Sequence, residues 1–220
     1  MTDSDTASAS YATSLKIRVD YRYGTKPTGA GNNIYVIWLK DQASSYTQQL
    51  YTCQKLNDNV YGSGGLTGTA LPYWSKTIQP GLQKVDVDAV TSATIRMADF
   101  TVERTILDTT KRKFTVYLEH DQSWDKNDWF AKNEPAALYA ADIDLDSLKT
   151  SYSLHLIGWT AGEDTLSGGN MQFSIAGLGV GKFIDDVRFM TMTKSGSDFG
   201  VVDTNDTAVK AVSSIEVAIH

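Results

Sequence analysis

The chain predicts an all-β fold, an antiparallel β-sandwich of immunoglobulin-like or jelly-roll-like type, on three observations. Short runs of alternating apolar and polar residues recur along its 220 residues. Turn-forming clusters rich in Gly, Asn, Asp and Ser separate them. No window carries the i, i+3, i+4 spacing of a long amphipathic helix.

The elements follow in order. LKIRVDYRY (15–23) sets Leu15, Ile17, Val19, Tyr21 and Tyr23 against Lys16, Arg18, Asp20 and Arg22, the pattern of a half-buried strand. After the turn-rich GTKPTGAGNN, IYVIWLK (34–40) is continuously β-branched and aromatic, a composition suited to a central strand. DQASS then leads into YTQQLYTCQKL (46–56), and the pair reads as a hairpin. Asn57 to Gly81 is glycine-rich and loop-like, a length that requires packing by its own side chains, and Leu71, Tyr73 and Trp74 are the residues to supply it. KVDVDAV, IRMADFTVERTIL and KFTVYLEHD (113–121) continue the strands. SWDKNDWFAKNEPAAL reads as a loop with at most one helical turn, and LYAADIDLD and TSYSLHLIGWT as strands. MQFSIAGLGV, KFIDDVRFMTMT and VSSIEVAIH complete the series, with GLGVGK (177–182) as a bulge or bend between strands. No internal repeat and no linker interrupts the order. The polar, small-residue stretch 1–13 is a flexible tether, and 14–220 is one domain.

Composition narrows the function. A net charge of −6 and a pI near 5.0 supply no basic stripe for nucleic acid. Lys111-Arg112-Lys113 precedes the run from Phe114 and reads as a solvated strand start. One cysteine, Cys53, excludes an intramolecular disulfide and a cysteine zinc site, and its place in an alternating run makes it half-buried. His120, His155 and His220 lack metal-ligand spacing, and His155 opposes Leu154 and Leu156, as a surface histidine does. No G-x-S-x-G, P-loop or dinucleotide fingerprint is present. Asp142, Asp144 and Asp146 begin like a Ca²⁺ loop but lack its Gly and final Glu, so the expectation is a solvated carboxylate face, with a weak Ca²⁺ site as the alternative reading and no metal assigned. Tyr73, Trp74, Trp124, Trp129 and Trp159 lie in or beside loops, where rings either stack on sugars or plug the ends of a sandwich.

One segment breaks the sheet pattern. In KVDVDAVTSATIRM (84–97) the hexapeptide AVTSAT has little volume to bury but offers the hydroxyls of Thr91, Ser92 and Thr94 beside Asp88. Asp88 to Thr94 resembles the acceptor motif of bacterial FMN transferase targets at all seven positions, with Thr94 aligned on the hydroxyl that receives FMN in a phosphoester bond. Small side chains suit a segment that a transferase must seat in its own active site, and only an activated hydroxyl is nucleophilic enough.

A wider resemblance runs from Ile34 to Thr94, through IYVIWLKDQASSYTQQLYTC, LPYWSK and VDAVTSAT in that order. It is similar to bacterial domain-of-unknown-function family 2271, exported proteins with an "LP-x-W" segment and a "VDAVSGAT" segment. The resemblance does not extend to the C-terminal third. It implies an extracytoplasmic β-sandwich, in periplasm or on the cell surface, with the N-terminal stretch as a secreted or lipoprotein tether. It also implies covalent FMN on Thr94, with the FMN transferase and membrane redox proteins as partners and no reaction catalysed by the chain alone. Tyr73 and Trp74 are then the expected neighbours of the flavin ring. The same residues admit another reading, in which Asp88, Ser92 and Thr94 cap a structural turn and the protein is a non-catalytic module binding glycans or an envelope protein.

Overall fold

The computed structural model describes residues 15–24, 33–52, 71, 73–74, 98–122, 136–161, 172–175, 179–180, 188–193 and 212–220. Twelve strands are seen among them, and every pairing is antiparallel. They are β1 (Lys16–Tyr23), β2 (Asn33–Asp41), β3 (Thr47–Thr52), β4 (Phe100–Thr105), β5 (Lys113–Gln122) and β6 (Ala136–Asp144). β7 (Ser151–Ser153), β8 (His155–Ala161), β9 (Gln172–Ile175), β10 (Gly179–Val180), β11 (Arg188–Thr193) and β12 (Val212–Ile219) follow. Four of them form a sheet in the order β4-β1-β12-β7, and eight form a second in the order β10-β9-β11-β8-β6-β5-β2-β3. The β-sandwich expected from the alternation is present.

Alternation decides what fills the space between the sheets. β1 turns Ile17, Val19 and Tyr21 inward and leaves Lys16, Arg18 and Arg22 exposed. Its neighbours add Phe100 and Val102 from β4 and Ile215 and Val217 from β12. From the larger sheet come Tyr35, Ile37 and Leu39 of β2, which lie in register with His120, Leu118 and Val116 of β5. Aromatic rings join the two sheets. Tyr35 stacks on Tyr21 at 5.7 Å between centroids, on Tyr51 at 5.3 Å and on Phe100 at 5.4 Å. Offset stacking of this kind adds to the gain from burial alone.

The hairpin from β2 to β3 turns at Asp41, where Ser44 Oγ donates to the Asp41 carboxylate at 2.6 Å and the Asp41 amide donates to the Tyr46 carbonyl. A bulge in β3 makes Leu50 the extra residue, since Ile37 faces Tyr51 while Trp38 faces Gln49. A second bulge, in β8, sets Gly158 and Leu156 against the neighbours Leu138 and Tyr139 and turns Ile157 outward. Within GLGVGK, expected as a bulge or bend, Gly179 and Val180 instead form strand β10 and pair with Ile175 and Ser174 of β9, and the other residues of the run lie outside the described residues.

Two expectations are corrected. TSYSLHLIGWT is not one strand. β7 pairs with β12 in the smaller sheet and β8 pairs with β6 in the larger, and the chain crosses between them at Leu154, whose amide donates to the Ile215 carbonyl. Ala136 and Ala137, assigned to a loop, begin β6 and are buried. Their small side chains fit a stretch of sheet that is covered on both faces.

The sandwich has two unlike ends. At one stand three short described turns: 106–112 and 145–150 link the two sheets, and 42–46 joins β2 to β3 within the larger one. Gln48 ties this end together, its Nε2 donating to the Thr105 carbonyl at 2.8 Å and its Oε1 accepting the Leu107 amide at 3.0 Å. Tyr23, Asn33, Thr52, Phe100 and Ala136 all stand at the opposite end. Gln48→Ala removes two part-buried hydrogen bonds, to the Thr105 carbonyl and the Leu107 amide, and is expected to cost about 0.5–1.5 kcal/mol. Urea unfolding checks it, with a lowered midpoint at unchanged slope.

Candidate functional site

The outer face of β2, β5 and β6 carries the residues with most chemical character. It would be the solvent side of an ordinary sandwich, yet Ile34, Val36 and Trp38 on it are fully buried. The segment around Leu71 and Trp74 provides part of the cover, Leu71 being buried and Trp74 only 8 % exposed. The packing role expected of Leu71, Tyr73 and Trp74 is therefore what these residues perform. Tyr73 lays its ring against Trp38 at 5.9 Å and edge-on to Tyr117 at 5.4 Å, and Trp38 and Tyr117 stack at 5.2 Å.

A carboxylate fixes this cover. Glu119 lies in register between Val36 of β2 and Leu138 of β6, and it is 0 % exposed. Its Oε1 accepts the Tyr73 amide at 3.0 Å, and its Oε2 accepts the Trp74 amide at 2.7 Å. Tyr73 and Trp74 are in helical conformation, and a carboxylate taking successive amides satisfies donors that a short helical turn cannot pair internally. Hydrogen bonds to a charged acceptor are stronger than neutral ones, which offsets part of the cost of burying the charge.

The neighbours of Glu119 extend the polar character. His120 and Asp121 are also buried, so three consecutive ionisable residues occupy the inner, barely accessible part of β5. Alternation sends His120 inward, with its ring 5.9 Å from that of Tyr35. Tyr35 and Tyr51 hydroxyls meet at 3.5 Å. Burial, reinforced by Tyr139, pushes Tyr21 well above the ordinary phenol range. A phenol held neutral adds no charge to this buried polar interior.

The carboxylates offered by the sequence as a possible cation site are engaged elsewhere. Asp142 accepts from Thr115, Asp144 pairs with Lys113 and accepts the Asp146 amide, and Asp146 pairs with Arg112. The same contacts explain Arg112 and Lys113 as a solvated strand start. Among the described residues no group of three or more His, Cys, Asp or Glu side chains is placed to hold a metal. His155 is exposed beside the buried Leu154, as the alternation requires.

Of the expected flavin-site residues, Tyr73 and Trp74 are brought to one place. Asp88, Thr91, Ser92 and Thr94 lie outside the described residues, as do Cys53, Trp124, Trp129 and the side chain of Trp159. Glu119, which sequence reasoning passed over as one more polar residue in LEHD, is what holds the aromatic pair. A charged residue between an apolar central strand and Leu138 was the available signal.

Asp99, just before β4, is fastened to the end of β1. Its Oδ1 accepts the Tyr23 amide at 2.8 Å, and its Oδ2 accepts from Arg22 at 3.0 Å. These contacts, the amide first, hold its carboxyl below the ordinary range. A depressed folded-state value means that the contribution to stability is full above the unfolded carboxyl's pKa and is lost as pH falls through the folded one. In an acid titration followed by NMR, the Tyr23 amide shift is expected to report a midpoint below that of a free aspartate. Arg22→Gln is expected to move that midpoint upward.

No protein family, no curated protein and no solved structure matches this chain.

Proposed function

We propose that the protein is an extracytoplasmic electron carrier bearing FMN in phosphoester linkage on Thr94. The observation that carries this reading is the segment Asp88 to Thr94, which fits the acceptor pattern of FMN transferase targets at each of its seven positions. The protein's part is then to place the flavin and set its surroundings, while the flavin supplies the redox chemistry. The aromatic cover on the larger sheet supports the idea. It lies on the same connection between β3 and β4 as the acceptor segment, and Tyr73, half-buried against Trp38 and Tyr117, keeps part of its ring accessible. Trp74 serves this neighbour by anchoring it. The FMN transferase and membrane redox proteins are the partners, and a lipid or secreted tether at the N-terminus keeps the domain near them.

Intact mass tests the proposal. Co-expressed with an active bacterial FMN transferase in the periplasm, the chain is expected to gain the mass of FMN less one water, and Thr94→Ala is expected to gain nothing. An unmodified wild-type mass, beside a known target that is modified, overturns the assignment and leaves AVTSAT as a turn in a binding module. In the flavinylated protein, Tyr73→Ala is expected to raise flavin fluorescence, because an aromatic neighbour that quenches the ring has been removed; unchanged emission places the ring elsewhere.

A further inference from the structure

Tyr117, Ala140 and His155 stand in one row across three neighbouring strands, Tyr117 of β5 in register with Ala140 of β6 and Ala140 with His155 of β8. Side chains paired in this way project from the same face, here the outer face of the larger sheet. We propose that the notch over Ala140 is a carbohydrate site for one pyranose ring, which lays its C–H face on Tyr117 and hydrogen-bonds Asp142 and His155 through its hydroxyls.

The shape comes from side-chain size. A methyl group forms the floor, with a phenol on one side and an imidazole on the other. Two strand spacings set these walls about 9–10 Å apart, room for a single ring between them. Along the outward residues of β6, exposure rises from buried Leu138 through half-buried Ala140 to exposed Asp142. The notch is therefore closed at one end and opens toward the carboxylate.

The walls are set in place before any ligand arrives. Tyr117 is half-buried and stacks on Trp38 at 5.2 Å with 21° between the ring planes. Trp38 lies on the β2 side, so the other face of the phenol looks over Ala140. Asp142 is oriented by its neighbours: Thr115 Oγ1 donates to its Oδ1 at 2.6 Å, and Gln42 Nε2 donates to Thr115 Oγ1 at 3.4 Å. Its Oδ2 makes no hydrogen bond among the described residues. Asp142 lies diagonally from Tyr117, about 7–8 Å away, a separation that one sugar ring with its hydroxyls bridges. A carboxylate is a strong acceptor for O–H donors, and a group already oriented loses little freedom on binding. An aromatic face with a few placed polar groups suits a ligand that is apolar on one side and hydroxylated at its rim. The negative charge at the mouth disfavours phosphates and other anions. None of these residues belongs to the FMN acceptor segment, so this site and flavin on Thr94 are tested separately.

A two-dimensional NMR titration of the full chain with methyl β-glucopyranoside, and separately with phenol as an aromatic probe, tests the proposal. The sugar is expected to shift the Tyr117, Ala140, Asp142 and His155 amides saturably, with a dissociation constant of about 1 mM, the range open to so small a ligand. Asp142→Asn keeps an acceptor for Thr115 but removes the charge, and is expected to weaken binding about tenfold. Ala140→Leu fills the floor and is expected to abolish it. The proposal is overturned if the sugar gives no saturable shift at about twenty times the expected constant. It is equally overturned if Ala140→Leu binds as the wild type does, or if phenol saturates the notch and the sugar does not. Should Ala140→Leu not fold, the exposed Asp142→Asn locates the site, and an unchanged affinity there overturns it.

Discussion

The burial of β2 on both faces is the constraint from which much of the architecture follows. Every side chain from Ile34 to Leu39 is inaccessible, so the larger sheet cannot present an outer face to water at this point. The inner half of that requirement is met by the smaller sheet through stacked tyrosines. Among the described residues no third sheet covers the outer half. It is met in part by a few residues of the connection between β3 and β4, and those residues bring backbone amides into a region without water. Glu119 answers the need they create. A charge in the middle of a central strand is thus the consequence of an apolar strand with two faces to cover.

The same constraint explains the distribution of residue types across the sheet. Ala136, Ala137 and Leu138 sit where β6 runs under cover, while Asp142 and Asp144, farther along the same strand, stand in the open and pair with Thr115 and Lys113. β5 shows the reverse, with its charged residues at the covered part and its Lys113 and Thr115 at the accessible part. Polarity along a strand here tracks what covers it, and local sequence carries only half of that information.

How far the sequence could be read follows from this. Alternation in LKIRVDYRY and the apolar run IYVIWLK were sufficient for β1 and β2, because the first reports one buried face and the second reports two. The crossing at Leu154 was illegible for a definite reason. Tyr152, Leu154 and Leu156 keep the period of two through the change of sheet, and a signal with that period does not register which sheet a residue faces. Ala136 and Ala137 were read as loop because alanine favours strands weakly, and their place in β6 is set by neighbours rather than by propensity. Glu119 was read only as part of the strand KFTVYLEHD, since its partners, Tyr73 and Trp74, lie more than forty residues away in sequence.

The closed end of the sandwich has its own consequence. There the hairpin turn at 42–45 is exposed and rests on side-chain bonds of Asp41 and Ser44, while β3 ends and β4 begins at the opposite end, at Thr52 and Phe100. A dye, a surface linker or a fused domain grafted into that turn would therefore sit at the pole opposite Thr52, Phe100 and Ala136. The molecule offers a natural handle: it can be immobilised by one pole while whatever approaches the other is watched.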